Sequence, residues 1–319
     1  MSASSDVLVM KNGDRITGDI KKVWGEELFI EPAYGGEFPV DLDAIATITS
    51  DREFEIELRD HSELVGNLTT DDAGNPVLIT GGEMRPFPVT DIEELDEPEA
   101  YLDWQVSSLL SGNASRGNSD TTNWRSYNFG MVKLGDHRHT LELVSERQEK
   151  DGETSKEQDD VVYGYNWLFS ENDDWFLIGN LSWRRDPQRD LDARWIIGVG
   201  PGYQIWDDAY RSLRIGVTGD LVLEDIGGDE DESFAPHWAL RFSREFLGGD
   251  AKFFHNHDVW RYVTGRENNV FETSTGVRYE ITDDLYANLQ VDFNYETDPA
   301  SGADKEDITY LIGIGIDLD

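Results

Sequence analysis

The chain has 319 residues, enough for one large or two smaller domains with a sizeable core. Acidic residues outnumber basic ones 66 to 27 and give a formal net charge of -39, which excludes a nucleic-acid binder because phosphates attract a basic surface. Cysteine is absent, so disulfides, thiolate metal sites and cysteine nucleophiles are excluded.

The first hundred residues contain an internal repeat. The stretch "VLVMKNGDRITGDI" (7–20) aligns with "EIELRDHSELVGNL" (55–68), sharing an apolar run, a turn and a glycine between apolar residues. Further along, "EFPVDLDAI" (37–45) aligns with "PFPVTDIEEL" (86–95), about 49 residues later. The repeat predicts two copies of one small, strongly bent β unit.

The turns of this repeat and its boundaries follow from the same alignment. Asn12-Gly13 and Asp60-His61 stand where hairpin turns belong, and Asn-Gly is the stronger turn signal. The "KNGDRITG" turn (11–18) resembles the SH3-like and Sm-like barrels. The predicted region spans residues 1–98, with units at about 7–50 and 53–96, and "DEPEA" (96–100) is the predicted linker.

Residues 101–319 consist of longer runs in which apolar and polar residues alternate, which is the period of a β-strand. Tight connections alternate with more polar ones, and the number of runs is even, both typical of an outer-membrane barrel. Twelve runs begin near Tyr101, Thr121, His137, Lys156, Asp174, Asp190, Ala209, Glu232, Ala251, Glu267, Asp284 and Asp304.

Two neighbouring runs within residues 191–225 show the alternation most clearly. Trp195, Ile197 and Val199 share one face of the first run, and Arg194 lies on the other face. A soluble sandwich would turn the apolar face toward a core, whereas a membrane barrel would turn it toward lipid. Runs of ten or more residues, rings near the strand ends and uncharged middles favour lipid.

The predicted fold class is therefore all-β, with a twelve-stranded antiparallel outer-membrane-type β-barrel over residues 101–319 preceded by two small SH3-like β units. A soluble acidic β-sandwich that binds a ligand remains the alternative fold.

The barrel region also resembles a known family. "GNASRGNSDTTNW" (112–124) and "GVGPGYQIWDD" (198–208) resemble domain-of-unknown-function family 481, whose members are described as salt-induced outer-membrane proteins. The resemblance covers roughly residues 101–319 and implies a bacterial outer-membrane β-barrel of undefined activity, with the N-terminal repeats in the periplasm. The chain ends Leu318-Asp319, so assembly through an aromatic last residue is not expected.

No signal peptide is visible in "MSASSDVLVM" (1–10), because it has neither a basic start nor an apolar run. If the protein is exported, we expect this chain to be a mature form or one with its start trimmed. The expected location is the bacterial outer membrane, with the N-terminal region in the periplasm.

Two His-x-His pairs raise the question of a metal site. His255 and His257 share one face of "AKFFHNHDVWRYV" (251–263), so both imidazoles can reach one ion, but no third ligand is assignable. Neither face of this run is cleanly apolar, which predicts a bulge or a contact with something other than lipid, such as the N-terminal domain or a second subunit. Ser243 and these histidines lack a third catalytic member, so an enzyme is not expected.

The polar faces of the runs predict the barrel lumen. Mixed charge across a narrow barrel favours a salt-bridged plug, although a twelve-stranded barrel also allows a narrow pore. The predicted lumen residues are Arg194, Arg214, Asp220, Glu224, Arg241, Glu272, Arg278 and Asp292.

The leading functional hypothesis is a structural or envelope-integrity protein, with a salt-stress link that comes only from the family resemblance. The alternatives are a narrow channel for small solutes or ions and a soluble ligand-binding sandwich. No cofactor is expected. The expected partners are outer-membrane lipid and a periplasmic protein bound through the N-terminal repeats; the sequence leaves the oligomeric state open.

Overall fold

The computed structural model describes residues 6–98, 101–115, 120–169, 174–208, 210–282, 284–299 and 304–318. The chain divides into two compact units, Met1–Ala100 and Tyr101–Asp319. The described residues leave out the end of the predicted linker, residues 116–119 within "GNASRGNSDTTNW", and Asp319. In the described part of the chain, no helix is long and apolar enough to cross a membrane.

The first unit consists of two five-stranded sheets with the same topology. In each sheet the first strand of the repeat lies between the second and the last, giving the orders β4-β3-β2-β1-β5 and β10-β6-β7-β8-β9. The strands are β1 (Asp6–Met10), β2 (Arg15–Trp24), β3 (Glu27–Glu31), β4 (Phe38–Asp41), β5 (Ile45–Thr49), β6 (Glu53–Leu58), β7 (Glu63–Thr70), β8 (Pro76–Thr80), β9 (Glu83–Pro86) and β10 (Ile92–Asp96).

The repeated glycine marks a close approach between strands. A Cβ atom on Gly18 of β2 would lie 2.6 Å from the carbonyl oxygen of Glu31 in β3. The equivalent Cβ on Gly66 of β7 would lie 2.1 Å from the carbonyl oxygen of Ile79 in β8. Both distances are far below van der Waals contact, so both copies of the repeat require glycine here.

The two sheets share one hydrophobic core. Leu8 and Ile30 from the first sheet and Phe54 and Leu68 from the second are almost completely buried in the same cluster. Each small sheet alone would leave its apolar face in water, so the repeats fold as one unit rather than as two independent domains.

A buried ion pair joins the first copy to the segment that connects the two copies. Asp6 is completely buried, and its carboxylate accepts hydrogen bonds from the Ser50 hydroxyl at 2.6 Å and from the Ile20 amide at 2.9 Å. The Arg52 guanidinium also donates to this carboxylate at 2.6 Å. Burying Asp6 is tolerated because charged and neutral donors together satisfy it.

The second unit is a closed barrel of twelve antiparallel strands, as the sequence predicts. Closure is made by the first and last strands, which pair from Val106–Leu318 to Gly112–Ile312. The soluble β-sandwich is therefore wrong. The strands are β11 (Leu102–Ser115), β12 (Thr121–Leu134), β13 (His137–Lys150), β14 (Glu153–Leu168), β15 (Trp175–Asp186), β16 (Leu191–Asp208), β17 (Arg211–Ile226), β18 (Asp229–Phe246), β19 (Ala251–Arg261), β20 (Asn269–Thr282), β21 (Leu285–Glu296) and β22 (Glu306–Leu318).

The two ends of the barrel are distinguished by where the first and last strands begin and end. The terminal end is where β11 begins and β22 ends, and the distal end is opposite. Two of the more polar connections, both at the distal end, are tight hairpins, at Asp151-Gly152 and Gly227-Gly228. All four residues have positive φ, the conformation of a two-residue type I′ turn, so the adjoining strands extend further than predicted.

The apolar faces of the strands point out of the barrel. On β16, Ile197 is 49% exposed and Val199 is 59% exposed, whereas Arg194 on the opposite face is buried. Aromatic side chains lie near both ends of this band: Trp175 and Tyr203 pack 4.8 Å apart at the terminal end, and Trp183 and Trp195 pack 6.4 Å apart at the distal end. An exposed apolar band between aromatic girdles is the outer surface of a membrane-spanning barrel.

Candidate functional site in the barrel lumen

The eight predicted lumen residues all lie on the inner wall. Strand alternation places them there, and their partners are on other inner faces. Asp220, Glu224, Arg194 and Asp292 are buried. The other four are partly exposed inside the barrel: Arg214, Arg241, Glu272 and Arg278.

Ion pairs between non-neighbouring strands cross the distal half of the lumen. Arg184 on β15 bonds Asp160 on the neighbouring strand at 2.8 Å and reaches Glu272 on β20 with both terminal nitrogens. Arg194 on β16 bonds Glu224 on β17 and Glu296 on β21, both at 2.6 Å. These contacts join distant walls of the barrel across its interior.

Two further cross-lumen pairs strengthen this region. Arg125 on β12 pairs with Asp292 on β21. Lys156 on β14 pairs with Glu146 on β13 and with Asp307 on β22, both at 3.2 Å. Every one of these cations has an acidic partner, so the distal lumen is a network of bridges rather than a track of free charges.

A small cavity lies beside these bridges toward the distal end of the barrel. Arg184, Arg194 and Arg189 contribute donors, while Asp186, Glu272 and Asp307 contribute acceptors. Cations and acids therefore both line this cavity.

A buried polar cluster surrounds Asp220 on β17. Its carboxylate accepts hydrogen bonds from the Thr218 hydroxyl at 2.5 Å and from the Trp260 indole at 2.9 Å, and His237 lies 3.3 Å away. The His237 ring stacks on Trp260 with centroids 4.2 Å apart and also contacts Asp258 at 3.0 Å. The sequence predicted only Asp220 of this cluster.

His255 and His257 lie on the outer wall of β19, not in the lumen. The ladders of β19 with both neighbours are uninterrupted, so the predicted bulge is wrong. Ser243 faces the lumen, so it lies on the opposite side of the wall from these histidines.

The two histidines belong to one chain of hydrogen bonds. The Trp238 indole can only donate, and its partner at 2.9 Å is His257 Nε2. His257 Nδ1 therefore carries a proton and donates to His255 Nε2 at 3.2 Å. His255 Nδ1 then donates to the Thr275 hydroxyl at 2.7 Å. All four ring nitrogens thus have protein partners, leaving no free nitrogen for a metal.

Among the residues that the structure describes, one set of acids and a histidine has the spacing of metal ligands. Glu57, His61 and Glu93 in the first unit offer atoms within 4.8 Å of one another. Glu93 and the His61 side chain are exposed, and acidic groups of this kind are common on protein surfaces without a bound ion.

The cross-lumen partners were the main residues that sequence reasoning missed. Arg184 and Arg185 are adjacent, so one faces the lumen and the other faces outward. Arg185 bonds Glu157 on the outer wall, while Arg184 spans the interior. Alternation could have suggested Arg125 and Lys156, but not their partners.

One protein family matches the sequence of the barrel. The profile described as "Protein of unknown function, DUF481" matches residues 109–318. The chain belongs to the DUF481 family. Among curated proteins, no sequence matches this DUF481 protein.

Several solved barrels are similar in fold to the DUF481 protein. The NanC porin is 14% identical and covers 66% of this chain and 100% of its own, with a TM-score of 0.45. An outer membrane channel from Pseudomonas putida F1 is 10% identical, covering 70% and 99%, with a TM-score of 0.43. The translocator domain of the autotransporter NalP from Neisseria meningitidis is 12% identical, covering 70% and 90%, with a TM-score of 0.40.

Proposed function

We propose that this DUF481 protein is a closed outer-membrane β-barrel with a structural role in the bacterial envelope. The observation that carries the proposal is the pair of cross-lumen bridges from Arg184 to Glu272 and from Arg194 to Glu296. An open conduit needs an unobstructed aqueous path, and these bridges cross the lumen in its distal half. The outward apolar band supports residence in lipid.

We extend the proposal to the orientation of the barrel in the outer membrane and to a role in salt stress. Outer-membrane barrels have their longer loops on the outside of the cell, and the longest connections, residues 262–268 and 297–305, are at the distal end, so we assign the terminal end and the first unit to the periplasm. The net charge of -39 suits a surface exposed to high salt, and the family resemblance supports a role in salt stress. Comparing the growth of a deletion strain with that of its parent after a salt upshift tests this role.

Planar-bilayer conductance tests closure of the lumen. We expect the wild-type chain to show no conductance steps, and the Arg184→Ser, Arg194→Ser double variant to show them because both bridges are lost. Arg185→Ser is the matched control, since it removes a charge from the same strand on the outer wall. Steps of equal size in the wild type and the double variant would contradict the proposal.

A narrow channel for small solutes or ions is the second candidate, favoured by the cavity and by the wholly polar bridges beside it. In that case the wild-type chain conducts and its ion selectivity changes with Arg214→Glu on the inner wall. The same bilayer experiment therefore separates the two functions.

A further inference from the structure

Basic residues on the inner wall at the terminal end stand opposite one another. The strand registers place Lys133 opposite Arg138, Arg214 opposite Arg241, and Lys252 opposite Arg278. Directly opposed side chains have Cβ atoms about 5 Å apart, and like charges in this position destabilise a sheet. Three such pairs occur in a chain with only 27 basic residues and 66 acidic ones.

These three pairs line the lumen near its terminal end, and together they are called the basic ring. Each member lies within a few residues of the terminal end of its strand. The pairs are on β12–β13, β17–β18 and β19–β20, so they stand on more than one side of the lumen. The distal half differs, because its cations are bridged to acids across the barrel.

Four members of the basic ring have nearby acids. Arg241 bonds Asp258 at 2.8 Å, Lys252 bonds Glu245 at 2.9 Å, and Arg278 lies 3.6 Å from Asp317. Lys133 has Asp103 as its cross-strand neighbour on β11. These acids offset the charge of four of the six bases.

Arg138 and Arg214 are the two members of the basic ring that lack a direct ion-pair partner. In the described part of the chain, neither guanidinium makes an ion pair or a hydrogen bond, and both side chains are partly exposed inside the barrel. The acids whose charges act on Arg214 are Asp207 on β16 and Glu142 on β13, and neither is within ion-pair distance of its guanidinium. A guanidinium presents a planar fork of donors that fits the paired oxygens of an oxyanion.

We propose that the basic ring is a binding site for a small solute bearing an oxyanion, entered from the terminal end, with Arg138 and Arg214 as its principal ligands. The bound anion supplies the direct partner that the two arginines lack and relieves the repulsion between Arg214 and Arg241. Phosphate, sulfate and carboxylate groups share the required chemistry. The site goes beyond the proposed structural function, because it needs access from one end only and no continuous pore.

Isothermal titration of the full chain, refolded in detergent, with inorganic phosphate at constant ionic strength tests this site. We expect saturable binding that Arg138→Gln and Arg214→Gln each weaken by about tenfold or more, as for loss of a charge-assisted hydrogen bond. Arg244→Gln is the matched control: it removes a base from β18, but on the outer wall, and should leave binding unchanged.

A second readout separates a binding role from a structural one. In phosphate-free buffer, Arg214→Gln should raise the urea midpoint of unfolding, because it removes a like-charge neighbour of Arg241. A purely structural Arg214 would lower that midpoint. Absence of saturable phosphate binding in the wild type, or an equal loss in Arg244→Gln, would overturn the proposal whether or not the barrel conducts.

Discussion

At the scale of single residues, the short distance between neighbouring strands requires the repeated glycines Gly18 and Gly66. We expect Gly66→Ala to lower the free energy of unfolding of the first unit by about 1–3 kcal/mol, because the new Cβ would collide with the Ile79 carbonyl. Gly36→Ala is the control, since a Cβ there meets nothing within 4 Å. Hydrogen exchange of the full chain, measured for peptides from residues 6–98, gives both values.

His61 provides a pH-dependent contact on the same unit. Its hydrogen bond to Glu57 raises the His61 pKa above 6.5. Because the folded pKa is raised, the stabilisation is fully present below the unfolded value and is lost as the pH rises through the folded value. Nuclear magnetic resonance titration should give a midpoint above 6.5, and Glu57→Gln should lower that midpoint; an unchanged midpoint would contradict the assignment.

His61 also shows what the alignment could and could not reveal. The sequence matched Asp60-His61 with Asn12-Gly13 as turns, and both His61 and Gly13 have positive φ. The repeat therefore predicted the backbone position correctly. The alignment could not predict the contact between His61 and Glu57, because Gly13 has no side chain that could make it.

At the scale of elements, Arg52 holds the segment between the two copies against the first copy. We expect Arg52→Gln to lower the free energy of unfolding by about 3 kcal/mol, because Asp6 would remain buried without its cation. Lys21→Gln removes only an exposed pair with Asp19 and Glu31 and should cost less than about 1 kcal/mol. Equal losses in urea titrations of the two variants would contradict this role of Arg52.

The outer wall of β19 combines polar side chains with a lipid-facing position. We expect His257→Leu to destabilise the barrel by about 1–2 kcal/mol, because it leaves the Trp238 donor and one nitrogen of His255 without partners. Adding His255→Leu should restore part of that loss by making the wall apolar. Urea unfolding in lipid vesicles measures both losses of stability. A double variant that loses more stability than its two single variants together would contradict the hydrogen-bond chain.

Element by element, alternation predicted the strands well but not their neighbours across the lumen. All twelve barrel strands begin within a few residues of the predicted runs, since period-2 patterning depends only on local sequence. The bridge from Arg184 to Glu272 depends on the registers of every strand between β15 and β20. Local patterning contains no information on those registers, so the network could not be derived.

At the scale of the whole molecule, the fold separates three chemical environments. The first unit buries a shared apolar core, and the outer wall of the barrel presents apolar side chains. The lumen contains the ion pairs between oppositely charged side chains. Alternation predicted that each barrel strand has two unlike faces. It could not decide between a sandwich and a barrel, because both alternate, and only the pairing of β11 with β22 settles closure.

The central claim is that the twelve strands close into a barrel whose apolar wall faces lipid. Electrophoretic mobility of the refolded chain, boiled against unboiled, measured beside its solubility without detergent, tests this claim most directly. The fold predicts a band that shifts on boiling and a protein that needs detergent, because Ile197, Val199 and their neighbours are exposed. A detergent-free soluble monomer with one mobility, boiled or not, would contradict it.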